Sequence, residues 1–494
     1  MDRLSLATLT ELPAAIEKPA YDPRRIPVGI VHLGIGAFHR AQSAVYSDDT
    51  LALEPGAWGI CGVSLRSAEV RARLSPQDGL YTAVEKSPSG IRRRVIGSVR
   101  EVLFLGDQRD AIHARLTAPS TRIVTLTITE KGYCHDPATG RLNLEHPDIV
   151  HDLAQPSRRQ SAIGLIAAAL DARRSSGGHA FTVLCCDNLP HNGALVRRLV
   201  LAFAAARDAA LARWIDDHAS FPSTMVDRIV PATTAADIAE NAAALRLQDE
   251  APVVHEPFRQ WAIEDDFVSG RPAWQRAGAQ LVGDVAPFEA MKLRLLNGSH
   301  SAFAYLGFLA GHEFIYQVAA QPDFVRFMRR LMGDEVAPTL RVPPGVDLAA
   351  YQNALVERFS NPALPHRTQQ IAMDGSQKLP QRLLGTVRDN LAAGRRIELL
   401  ALAVAGWMRY VTGVDEAGRK IVVSDPLAGE FARIAAAQRR DPPALAREFL
   451  SLRAVFGDDL PADPRFADKV AGSLSALFAD GAARTVGRVA RNVP

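Results

Sequence analysis

Cysteine is scarce: there are four in 494 residues. Cys185 and Cys186 are adjacent, while Cys61 and Cys134 stand alone. A secreted, disulfide-stapled scaffold is excluded on that count. No CxxC pair and no clustered Cys/His spacing marks a structural zinc site, so no metal is expected. Aromatic side chains are only 6% of the chain, too few for stacking platforms along single-stranded nucleic acid. Excess charge is also missing. Lys and Arg number 57 against 54 Asp and Glu, a net +3, too little to make a polyanion-binding field; no nucleic-acid partner is expected. No apolar run is long and charge-free enough to span a bilayer. The opening MDRLSLATLTELPAAIEKPAYDP has no apolar core behind a basic head, so no signal peptide is expected and the expected location is cytoplasmic. What is present is an ordinary globular composition, 47% hydrophobic and 22% charged. The length is enough for two or three domains with sizeable cores.

The first 25 residues or so read as a polar lead-in. Four apolar, β-branched runs then read as buried strands: Val28 to Leu33, Trp58 to Leu65, Arg122 to Ile128 and Ala180 to Cys186. Helical patterns separate them, notably Asp110 to Leu116 and Ser161 to Arg174. Alternation of this kind implies a parallel, doubly wound α/β sheet. After about residue 285 helical spacing dominates, in Pro287–Leu309, Pro322–Met332, Leu348–Phe359, Gln381–Ala392 and Ile397–Val411. The expected organisation is a Rossmann-type sheet domain over 1–284 followed by a mainly α-helical domain over 285–494.

Gly34-Ile35-Gly36-Ala37-Phe38-His39 directly follows the first strand and opens a helix. A dinucleotide site needs this context, a tight turn that lets pyrophosphate approach the backbone. His39 stands where a third glycine would complete GxGxxG, and a lone GxG also fits a plain tight turn. An acid near the end of the second strand would read the ribose. Glu69 fills that place and favours NAD, while nearby Arg66 argues for a phosphate.

The most informative stretch is PFEAMKLRLLNGSHSA, Pro287 to Ala302. As one regular helix it puts Lys292, Asn297 and His300 within an arc of about 140°, at about 100° per residue, over about 12 Å of axis. A titratable amine, an amide donor and an imidazole on one face suit metal-free oxidation of a secondary alcohol. The amine takes the hydroxyl proton and amides stabilise the alkoxide. Each residue also fits an ordinary structural role. Asn188, in CDNLPHNG, lies at the carboxyl end of the fourth strand, where open α/β sheets bind ligands; an Asx turn before a helix explains it equally. Glu130-Lys131-Gly132-Tyr133 ends the third strand with the same two readings. GSHSA around Ser299 is not the GxSxG elbow of a hydrolase. A non-catalytic nucleotide-binding regulator would leave the Lys/Asn/Asn/His set without a task.

Taken together, GIGAFHRA, TITEKGYC, CDNLPHNG, MVDRI, EPFRQW and Lys292-x4-Asn297-x2-His300 resemble the polyol-specific long-chain dehydrogenases, in order and over nearly the whole chain. The resemblance implies a Rossmann-type domain followed by a helical one, a nicotinamide cofactor, NAD, and catalysis without zinc. It implies Lys292 as general base, Asn188 and Asn297 as the oxyanion site, His300 as a ligand of substrate hydroxyls and Glu69 as the reader of the adenosine ribose. It allows a monomer. Within the family, Lys131 and the segment HRTQQIAMDGSQKLPQR, His366 to Arg382, look like the fructuronate reductase (D-mannonate oxidoreductase) branch. The cations Lys131, Lys378 and Arg382 would suit a hexonate carboxylate, although each also fits a surface charge or an internal ion pair. NLPHNG, with His191, and GVSLR look closer to mannitol 2-dehydrogenases. The expected substrate is thus a sugar acid or polyol.

Overall fold

The run VGIVHL forms β1, Val28–Leu33, with every residue after Val28 buried, as a strand covered on both faces must be. It is the middle of a five-stranded parallel sheet in the order β5-β2-β1-β6-β7. The others are β2 (Gly59–Ser64), β5 (Val99–Phe104), β6 (Ile123–Leu126) and β7 (Thr182–Cys185). Strand order reverses between β1 and β6, and ligands of open α/β sheets bind beyond the carboxyl ends at such a switch point. Val31, Leu33, Val124, Leu126 and Val183 of one face pack on the helix Ala162–Ser175 through Ile163, Ile166 and Leu170.

Among the described residues, seven strands escape the sequence reading. One is β5, an edge of the main sheet. The others build two small mixed sheets: β4-β3-β9 from Tyr81–Ser87 (β3), Gly90–Ile96 (β4) and Val253–His255 (β9), and β11-β10-β8 from Thr224–Asp227 (β8), Gln260–Glu264 (β10) and Gln280–Val282 (β11). The first 25 residues are not a loose lead-in either. Leu4, Leu12 and Ile16 are buried against Leu80, Val95, Leu245 and Leu247. Their irregular spacing follows 3-10 turns and bends and carries no helical or strand period.

This computed structural model describes residues 1–136, 139–438 and 440–492. It divides into two compact units, Met1–Ala286 and Pro287–Pro494. Among its described residues the second unit is helical. Its centre is the helix Glu398–Val411, buried from Leu399 onward, with Trp407 packed against Phe431, Phe449 and Phe456. Buried Glu335 accepts hydrogen bonds from Leu399 N and Leu400 N, each 2.8 Å, at the start of that helix. It thereby satisfies two donors that no helical carbonyl can reach. Three segments of the unit are π-helical: Lys292–Asn297, Leu331–Val336 and Pro380–Leu384. No helix of the described residues is long and apolar enough to cross a membrane.

Candidate active site

In the first unit the glycine turn leaves β1 at the switch point. Gly34 has φ 95°, and a Cβ there would lie 2.1 Å from Thr127 O at the end of β6. Both the conformation and the close approach demand glycine. At Gly36 a Cβ would meet only Gly34 O, at 3.8 Å, so that backbone is open to a ligand. The helix after the turn is not continuous: Ala37–Ala41 and Ser43–Leu53 are separated by Gln42 at φ −118°, ψ −91°. His39, in the third-glycine position, is buried. Its ring stacks on His32 with centroids 3.4 Å apart, and its Nδ1 pairs with Ser43 Oγ at 2.7 Å. His32 Nδ1 pairs with Thr125 Oγ1 and Nε2 with Thr127 Oγ1. Burial drives both imidazoles far toward the neutral form, His32 to about 3. Two uncharged rings thus supply the helix–strand packing that a third glycine gives elsewhere.

Glu69 begins the helix Glu69–Leu74, five residues past the end of β2. It is exposed and pairs with Arg73 at 2.5 Å. Arg66 is exposed and pairs with Asp148. The Glu69–Arg73 pair is exposed at both ends and worth under about 1 kcal/mol, so Glu69 can exchange its partner for a ribose, whereas the Asp148 that holds Arg66 is buried. Cys134, His146 and Asp148 also bring one ligand-type atom each within 4.8 Å of one another, a cluster that the sequence spacing does not reveal. The Asp148 carboxylate there already accepts from Arg66 and from Gln160 Nε2.

The loops beyond β6 and β7 are tied together by Asp187, which the sequence reading passed over in favour of its neighbour. Its carboxylate accepts from Ile128 N (2.7 Å), Thr129 N (3.3 Å) and Tyr133 Oη (2.6 Å), and burial raises its pKa. Asn188 and Lys131 are exposed on these two fastened loops. Thr129 takes φ 63° and His191 φ 47°, left-handed values that cost a side chain energy and recur at functional sites. His191 is the exposed residue before the helix Asn192–Arg207. Buried Asn192 locks that start to β8 by donating to Asp187 O and Thr224 O and accepting from Thr224 N.

In the second unit the expected single helix is Ala286–Met291, then π-helical Lys292–Asn297, then Gly298–Leu309. That corrects the regular 100° rotation. A π turn takes five residues between donor and acceptor, so Lys292 and Asn297 come round nearer to one face than a regular helix would bring them. This segment packs on the third π segment, Pro380–Leu384. At Gly298 a Cβ would stand 2.8 Å from Arg382 O. His300 stacks on Phe359 (4.9 Å) and on His366 (5.6 Å). Its Nε2 is sealed from solvent with no hydrogen-bond partner. Burial above all, then His366, Arg382, Arg358 and Lys378, hold the ring far below its usual pKa. Arg382 donates from Nη1 to Ser301 Oγ at 3.0 Å, one residue from His300. Lys378 donates to Met373 O at 2.5 Å. Burial, with Arg382 nearby, lowers its pKa to about 8. His366 and Phe359 were missed as site residues; their signal lay in the same His366–Arg382 segment and in the helix Leu348–Phe359 before it.

Comparison with known proteins meets this geometry at both ends. The mannitol dehydrogenase Rossmann domain model matches residues 28–276, and the mannitol dehydrogenase C-terminal domain model matches residues 284–478. The chain belongs to the mannitol dehydrogenase family. It is an oxidoreductase with a Rossmann-type parallel sheet and a helical C-terminal part. It is 47% identical to the D-mannonate oxidoreductase of Escherichia coli (strain K12) over 485 residues, 97% of this chain and 99% of that one. It is 41% identical to a mannitol 2-dehydrogenase of Pyricularia oryzae over 496 residues, 98% of each chain. Among solved structures it is similar to the Pseudomonas fluorescens mannitol 2-dehydrogenase in ternary complex with NAD and D-mannitol. That match has a TM-score of 0.87 and 41% identity, and covers 99% of this chain and all of the other.

Proposed function

We propose that the protein is an NAD-dependent, metal-independent dehydrogenase of a sugar acid, interconverting D-fructuronate and D-mannonate. The observation that carries this reading is the surround of His300. Arg382, Arg358 and Lys378 stand close enough to act on it as positive charges, a setting that favours a substrate carboxylate. Similarity to the Escherichia coli D-mannonate oxidoreductase supports the same reading.

The glycine turn fits a dinucleotide, since Gly36 leaves its backbone uncovered at the switch point. Gly34 through Phe38 would hold the pyrophosphate, and Glu69 the adenosine ribose, repelling a 2′-phosphate, with Arg66 beside it. NAD supplies or takes up the hydride when bound there. In the direction of reduction Lys292 Nζ gives a proton to the carbonyl oxygen, and in oxidation it takes the proton from the hydroxyl. The amide N–H groups of Asn188 and Asn297 donate to that oxygen as negative charge grows on it. His300, uncharged, exchanges hydrogen bonds with substrate hydroxyls. Lys378 and Arg382 hold the carboxylate, with Lys131 and His191 contributing from the loops beyond β6 and β7.

A second reading, mannitol 2-dehydrogenase, is favoured by NLPHNG and by the likeness to the Pseudomonas fluorescens enzyme. Steady-state NADH consumption with D-fructuronate and with D-fructose, in chelator and with NADPH as control, separates the two. A large preference for fructuronate upholds the sugar-acid reading; a preference for fructose replaces it with the hexitol one. The Lys292→Ala variant is expected to lose 10²- to 10⁴-fold in turnover, the usual share of a general acid–base group. NADH binding, followed by fluorescence, should stay near wild type. Near-normal turnover would remove Lys292 from the mechanism.

A further inference from the structure

Within the first unit lies a cavity of 530 Å³ that shares no residue with the glycine turn or the loops beyond β6 and β7. Five guanidinium groups line it, those of Arg92, Arg94, Arg228, Arg259 and Arg276, against two carboxylates, Asp49 and Glu85. Arg228 belongs to the MVDRI motif, which the catalytic reading leaves unused. Its side chain is 3% exposed. Nε donates to Glu256 O and Nη1 to Ala41 O, while Nη2 meets a carboxylate, that of Glu85, only at 3.9 Å, beyond hydrogen-bond reach. Asp49 is divided between Arg94 and Arg259. Arg94 also meets buried Asp48 at 3.4 Å, behind the lining, so within the cavity itself five guanidiniums face two carboxylates. The more exposed Arg92 and Arg276 lean on Glu17 and Glu54, which do not line the space, Arg92 through Nε and Nη2 and Arg276 through Nη1 alone.

A buried guanidinium is costly unless an anion meets it, and Arg forks match the geometry of phosphate oxygens in pairs. The volume falls in the range of small-molecule sites and suits a sugar-sized ligand. We propose that this cavity is a binding site for a small phosphate monoester, a phosphorylated sugar, separate from the nucleotide and substrate sites. Arg228, Arg259 and Arg94 grip the phosphate from within, and Arg92 and Arg276 close on it from the exposed side. Because Arg228 Nη1 also holds the carbonyl of Ala41, at the end of the helix that opens from the glycine turn, occupancy would be felt at the nucleotide loop. This assignment is independent of the choice between hexonate and hexitol substrates.

The test is calorimetric titration of the enzyme saturated with NADH, so that its pyrophosphate-binding turn is already filled, at constant ionic strength. Glucose 6-phosphate and inorganic phosphate are the probes. One-site saturable binding is expected, with the sugar phosphate at least tenfold tighter than inorganic phosphate. Arg276→Ala and Arg92→Ala, on exposed side chains that the fold does not need, should each weaken it at least fivefold, and Arg259→Lys more. Without phosphate the kcat of all three should match wild type. Absence of saturable heat, equal affinity for the two probes, or a Kd unchanged in all three variants would overturn the proposal.

Discussion

At the scale of single residues, the catalytic chemistry depends on which groups carry protons at working pH. Lys378 is the clearest case. Burial lowers its pKa from 10.5 to about 8, so it is a cation at pH 7 and loses that charge one unit higher. If it holds the substrate carboxylate, kcat/KM for the hexonate, which reports the free enzyme, falls as pH rises through about 8. Lys378→Arg keeps the charge and abolishes the inflection. An inflection that survives in this variant belongs to another group. The candidates Lys292, Asn297 and His300 stand out in the sequence because their spacing is local: they fall within nine positions. Asp187 does not, because its work is to join Ile128, Thr129 and Tyr133, far away in sequence, and a carboxylate beside an asparagine gives no hint of that. The stack of His39 on His32 was hidden for the same reason.

At the scale of elements, β1 and the glycine turn were readable because a buried parallel strand is a continuous apolar run followed by a forced left-handed glycine. The strands GIRRRVI and VREVLF were missed because their arginines and glutamate face ion partners such as Glu17, Asp49, Glu240 and Arg115, which interrupts any apolar period. The π turns were invisible in principle, since apolar spacing is read against a 3.6-residue repeat. One element also titrates. Glu335, at the start of the helix Glu398–Val411, has its pKa raised from 4.5 to about 7, chiefly by burial. The folded state therefore binds more protons than the unfolded one between those values, and stability falls as pH rises from about 4.5 to about 7. The full shift corresponds to about 3 kcal/mol. Glu335→Gln removes the titration, so urea midpoints measured from pH 4 to 8 should show a flatter profile than wild type. A profile of unchanged slope would show that Glu335 keeps an ordinary carboxyl pKa.

At the scale of the whole molecule, the two-part organisation and the family were legible because the motifs run in order along nearly the entire chain. The cores behind them need no covalent staple. All four cysteines are free and buried: Cys61, Cys134, Cys185 and Cys186 are each 2% exposed or less. A thiol reagent such as Ellman's should therefore titrate none of them in the native enzyme within minutes and four in denaturant, and activity should be indifferent to reductant. Rapid native labelling would mean that one of these cores opens readily. The π turn at Lys292–Asn297 has a further consequence. Such a turn is a regular helix carrying one extra residue, kept at the expense of good hydrogen-bond geometry. Deleting a single position between Lys292 and Asn297 would let the ladder heal into a better helix while swinging the amine by about 100° relative to His300. With Lys292 in its proposed role, the more stable helix and the working enzyme would be different molecules in this stretch.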